Sequence, residues 1–160
     1  MILHVKGSNK AVRKLVEHAT WFYAERLMGL RLMGSLEITI NLKKNLLSKE
    51  GNEGSAIWED DGHRPKEFTI ELDSTVKIRN ILITLAHEMV HVKQWAKNEM
   101  YEYMNTFGMV RFKGEKIHLK ETEYWDYPWE IEAYGKQLGL FVRFCEHMGF
   151  ERDDNMKEEA

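Results

Sequence analysis

The chain has 160 residues, of which 43% are hydrophobic and 31% charged, with a net charge of −3. This is enough apolar mass for a single core, expected over residues 1–150, with a charged, frayed tail over 151–160. The charge balance argues against a nucleic-acid or polybasic membrane partner, and no stretch reaches membrane-spanning length.

The opening MILHVKG reads as a short strand that is too brief and too interrupted for a signal peptide. One cysteine, Cys145, rules out an intrachain disulfide, and the expected location is cytoplasmic. A helix follows from a cap at Ser8 or Asn9 to a stop at Gly29, with Val12, Leu15, Ala19, Phe22 and Leu27 at helical spacing. SLEITINLKKN alternates as a strand, and GSAIWEDDGHRPKEFTIELD reads as two strands around an Asp61-Gly62 and Pro65 turn. Asp73, Ser74 or Thr75 can cap the next helix, which runs through ITLAHEMVHVKQW. MVRFKGEKIHL reads as a hairpin with a Lys113-Gly114 turn. The aromatic loop ETEYWDYPWE then leads into a last helix with Pro128 in its first turn, ending near Met148. The order predicts an α+β fold.

His87-Glu88-Met89-Val90-His91 matches H-E-x-x-H. Residues four apart share a helix face, so both imidazoles can reach one ion, and Zn²⁺ accepts neutral histidine nitrogen in tetrahedral geometry. Glu88 points about a quarter turn away, the position of a general base near the metal rather than a ligand. Ile81, Leu82, Leu85, Ala86, Val90, Val92 and Trp95 surround the trio, so the helix is apolar on most sides and predicted to be buried. Histidines there need a partner, and a metal supplies it.

A site with one open position needs a third protein ligand. Downstream stand His118, Glu121, Glu123, Asp126, Glu130, Glu132 and His147. Ile131, Tyr134, Leu138, Phe141 and Cys145 mark an apolar face on the last helix, and Glu130 projects within about 50° of its centre. Glu132 projects nearly opposite, beside Lys136 and Arg143. This predicts Glu130 as the ligand and Glu132 on a solvated face.

The combination resembles the zincin metallopeptidases, more narrowly a gluzincin-like group in which a glutamate on a later helix completes H-E-x-x-H. Glu130-Ile131-Glu132-Ala133-Tyr134 is similar to the E-x-x-A-D/N pattern of that helix. HEMVHVKQ, the hairpin and YWDYPWEIEAYG look like compact phage and bacterial metallopeptidases, some of them SprT-like. The resemblance covers roughly residues 68–145. It implies a small, twisted, mainly antiparallel sheet packed on the H-E-x-x-H helix with flanking helices. It also implies that EFTIELD can pair with an extended peptide. The chain departs from the pattern in two ways. Tyr134 replaces the aspartate or asparagine that braces a ligand histidine, so the brace is expected from Tyr134, Asp126 or backbone carbonyls. No third histidine closely follows His91, which favours a glutamate ligand.

His118 is expected to be a surface or packing residue, with an oxyanion role as the alternative. The tyrosines before Glu130 are expected to pack their loop, with Tyr127 or Tyr124 as an alternative donor to a tetrahedral intermediate. His4, His18, His63 and His147 lack a metal-spaced partner, and Cys145 reads as core. The function expected is zinc-dependent hydrolysis of a peptide or protein substrate, with Glu88 as base. The alternative is a zinc-containing binding or regulatory module of the same fold. A deformylase is disfavoured, because its cysteine ligand would lie upstream of the helix.

Overall fold

The computed structural model describes residues 1–103, 105–150 and 153–157. The chain folds as α+β: β1 Ile2–Gly7, α1 Lys10–Gly34, β2 Glu37–Lys43, α2 Leu46–Glu50, β3 Gly54–Trp58 and β4 Glu67–Asp73. Then come α3 Ile78–Ala96, β5 Met100–Glu102, β6 Met109–Phe112, β7 Glu115–His118 and α4 Pro128–Met148. Single 3-10 turns occupy Tyr124–Asp126 and Asp154–Met156. No helix among the described residues is long and apolar enough to cross a membrane.

The larger sheet has the order β1-β2-β4-β3. It is mixed and mostly parallel, which corrects the mainly antiparallel expectation. The long α1 returns the chain so that β2 runs parallel to β1, β4 runs parallel to β2, and only β3 opposes its neighbour. The alternation in the strands does set the register. Ile38, Ile40 and Leu42 stand opposite Phe68, Ile70 and Leu72, and all six are buried. Thr39, Asn41, Thr69 and Glu71 take the other, wetter face. The helices cover the apolar face, and the Tyr23 hydroxyl of α1 reaches the Leu82 carbonyl of α3 at 3.3 Å. The hairpin β6–β7 forms as expected and gains β5 as a third antiparallel strand.

Several boundaries differ from expectation for local reasons. Asn9 caps α1, its Oδ1 accepting from the Val12 amide at 3.0 Å. Gly29 (φ 75°) breaks that helix, as its sequence position suggested, but the chain resumes helix to Gly34. Asp73 does not cap α3, which begins five residues later at Ile78. Its buried carboxylate instead accepts from the Leu47 and Thr75 amides, each at 2.8 Å, and so ties α2 to the end of β4. In the tail, Met156 packs into the core, so the segment 153–157 is docked rather than frayed. The remaining tail positions, 151–152 and 158–160, lie outside the described residues.

The face of α4 also differs. The buried stripe is Trp129, Glu130, Ala133, Leu140, Phe141, Phe144 and Cys145, whereas Ile131, Tyr134 and Leu138 are 57%, 42% and 51% exposed. Glu130 is thus buried as expected, but on a stripe rotated from the one that the apolar residues outlined.

EFTIELD is not an open edge. As β4 it is flanked by β2 and β3, so the free edge beside α3 belongs to β3. Gly54 opens that strand where it crosses α3: a Cβ there would meet Thr84 Cγ2 at 2.5 Å and the Glu71 carbonyl oxygen at 3.1 Å. Gly54→Ala is therefore expected to cost about 1–3 kcal/mol, read by thermal or urea unfolding. A variant as stable as the parent would show that β3 moves aside freely.

Candidate metal centre

Two helices build the site. α3 contributes His87, Glu88 and His91 from its most buried stretch, and α4 contributes Glu130 from its first turn. The two imidazole Nε2 atoms are 3.1 Å apart. Glu130 Oε2 lies 3.3 Å from His87 Nε2, and Glu130 Oε1 lies 3.4 Å from His91 Nε2. All three side chains are buried. Ligands on one tetrahedral zinc at about 2.0–2.1 Å stand about 3.3 Å apart. Each of these pairs is near that spacing, with the two glutamate distances belonging to different carboxylate oxygens.

Glutamines fix the ring tautomers. Gln94 Nε2 donates to the Trp129 carbonyl and to Glu132 Oε2, both at 3.0 Å, which turns its Oε1 toward His91. His91 Nδ1 then donates to that oxygen at 2.8 Å. On the other ring, His87 Nδ1 donates to Gln137 Oε1 at 2.9 Å. In the neutral rings both Nε2 atoms therefore present lone pairs toward the Glu130 carboxylate. Three electron-pair donors facing one another repel, and either a proton or a metal ion relieves that repulsion. The protonation balance shows the same pull. Burial alone would lower the His91 pKa, but the hydrogen bond and charge of Glu130 outweigh it and raise it. Burial likewise opposes ionisation of Glu130, yet hydrogen bonding with His87 and His91, which places a proton between ring nitrogen and carboxylate, holds the carboxyl well below the usual range.

Glu88 is buried but makes no hydrogen bond or ion pair among the described residues. It lines a cleft of about 380 Å³ together with His87, His91, Glu130, Asn52 and the 54–56 edge of β3. Desolvation raises its pKa above the ordinary carboxylate value, against the attraction of the two histidines. A basic, unpartnered carboxylate beside the donors can take a proton from water.

Glu132 is not on a solvated face. It is partly buried, accepts from Lys93 Nζ at 2.8 Å, and faces Lys113 Nζ at 3.5 Å. Burial opposes its charge, but Lys93 and Gln94 outweigh this and hold its pKa down to about 2. Lys93 sits on the buried α3, and that is why the helix surface opposite Glu130 is not simply wet.

The other expected site residues divide. His118 is exposed on β7 and lies outside the cleft, because strand alternation turns Ile117 inward and His118 outward. Tyr127 lines the cleft, but its hydroxyl is committed to the Leu119 carbonyl at 3.1 Å. Tyr124 is the better placed of the two: its hydroxyl donates to Glu130 Oε2 at 2.8 Å. Burial, with the hydrogen bonds to Tyr134 and Glu130, raises its pKa. Tyr134 meets His87 through its ring, with centroids 4.6 Å apart, and does not brace an imidazole nitrogen. Asp126 is exposed. The braces are Gln94 and Gln137, which sequence reasoning missed. Their signal was spacing: Gln94 lies one helical turn after His91, and Gln137 two turns after Glu130. Gln137→Leu is expected to weaken metal affinity about tenfold, measured by competition with a chromogenic chelator. Unchanged affinity would mean that packing alone orients His87.

No protein-family model, no curated protein and no solved structure matches this chain.

Proposed function

We propose that this chain is a zinc-dependent peptidase of zincin-like architecture. The observation that carries the reading is the convergence of two imidazoles and one carboxylate, from two helices, within 3.1–3.4 Å of one another beside an unpartnered buried Glu88. His87, His91 and Glu130 would hold the ion, whose bound form supplies Lewis acidity toward a scissile carbonyl and toward water. Glu88 accepts the proton of the attacking water and returns it to the departing amine, so no net charge builds up in the buried cleft. Tyr124, whose hydroxyl donates to Glu130, is the candidate donor to a developing oxyanion. The free edge of β3 supports a peptide substrate: Gly54, Ser55 and Ala56 line the same cleft as the donors, and an extended chain can add to that edge by main-chain hydrogen bonds.

The test is metal analysis paired with proteolysis. Purified protein is expected to carry close to one zinc per chain and to cleave a permanently unfolded protein. A chelator is expected to stop cleavage, and added zinc to restore it. Protein that binds no zinc defeats the reading. Zinc-loaded protein that cleaves nothing assigns the fold to the binding-module alternative.

A further inference from the structure

A second cavity, of about 280 Å³, adjoins the donor cleft. Trp95, Met100 and Glu102 line both, so the two spaces share a wall and lie side by side. Trp58, Trp95 and Tyr101 give it aromatic walls. The two indoles pack at 5.1 Å, and His63 stacks on Tyr101 at 4.8 Å, so the walls are mutually supported. Two carboxylates, Asp61 and Glu102, also line it. Neither is in a hydrogen bond or ion pair through its side chain among the described residues. No lysine or arginine lines the cavity. The guanidinium of Arg111 lies 5.5 Å from the Tyr101 ring but is held by Asn98 Oδ1 at 2.7 Å and does not line it.

We propose that this cavity is the subsite for a basic side chain, lysine or arginine, of the peptide bound at the metal centre. The proposal rests on the peptidase reading for its substrate, and it makes Asp61, Glu102 and the two tryptophans specificity residues. Lysine and arginine combine an aliphatic stem with a charged head. The stem matches Trp58, Trp95 and Met100; the head meets aromatic faces and two unpaired carboxylates. A norleucine side chain gains the walls but leaves both carboxylates without a counter-charge. A glutamate side chain adds repulsion.

The test separates binding from turnover. The probes are acetylated heptapeptides Ala-Ala-Ala-X-Ala-Ala-Ala amide, with X as arginine, lysine, norleucine or glutamate. Uniform alanine flanks let X find the cavity in any register. Affinity is read from tryptophan fluorescence on zinc-supplemented protein carrying Glu88→Gln, which cannot turn the probes over. Arginine and lysine are expected to bind about fivefold or more tighter than norleucine, and glutamate weakest. Adding Asp61→Asn and Glu102→Gln is expected to erase the preference while thermal stability and zinc content stay at parent values. Equal affinity for arginine and norleucine, a preference that survives the double substitution, or no binding of any probe overturns the subsite. Failure of the peptidase reading is registered separately, as absence of cleavage by the parent protein, and it leaves the binding order measurable.

Discussion

Glu88→Gln is expected to keep the metal and the fold while hydrolysis of any cleavable substrate falls by a factor of roughly 10² to 10⁴. The amide has the size and polarity of the acid but cannot take a proton from water. Glu88 is outside the donor triangle, which is made by His87, His91 and Glu130, so zinc content should match the parent. Stability should not fall either. Glu88 has no partner to lose among the described residues, and replacing a buried carboxylate whose desolvation already raises its pKa removes a cost of folding. The measurements are kcat and KM on one peptide, zinc by mass spectrometry, and a melting curve. Loss in kcat with unchanged zinc and unchanged melting assigns the base. Turnover at the parent rate excludes Glu88 from the chemistry, and loss of zinc would make it a ligand.

The parts of this site that were legible in sequence are those governed by local periodicity. Four-residue spacing on an apolar helix was enough to bring His87 and His91 together. Alternation in EITINLK and EFTIELD was enough for the register of β2 on β4. What periodicity does not carry is pairing at long range. Whether β4 ends at an edge depends on where β3 folds back, and a hairpin reads the same from sequence whichever strand lies outside. The face of α4 failed for a related reason. Ile131, Tyr134 and Leu138 are apolar yet exposed, whereas Glu130 and Gln137 occupy the inner side because they serve the histidines. A stripe chosen by hydrophobicity discounts polar residues that are buried for function. The same blindness hid Gln94, and it placed Glu132 in solvent although Lys93, on another helix, awaited it.

Glu130→Gln and Glu132→Gln should separate along two different axes. Both glutamates lie in the first turns of α4, both are partly or fully buried, and both are ionised well below the ordinary carboxylate range. Their partners differ. Glu130 faces the Nε2 atoms of two imidazoles and accepts from the Tyr124 hydroxyl. Its amide replacement is a poor ligand, so zinc affinity should fall on the order of a hundredfold or more. At saturating zinc, a hundredfold loss removes about 2.7 kcal/mol of ligand-linked stability. The melting temperature gained on adding zinc should therefore shrink. Glu132 faces two lysines and Gln94. Glu132→Gln removes one counter-charge from the buried Lys93, which keeps Glu99 as a partner. That should cost about 1–3 kcal/mol of fold stability with or without zinc, and zinc affinity should change less than in Glu130→Gln. Calorimetric unfolding with and without zinc, alongside chelator competition, measures both axes for each variant. If Glu132→Gln lost the metal and Glu130→Gln kept it, the third ligand would be Glu132, and α4 would have to turn by about half a revolution to present it.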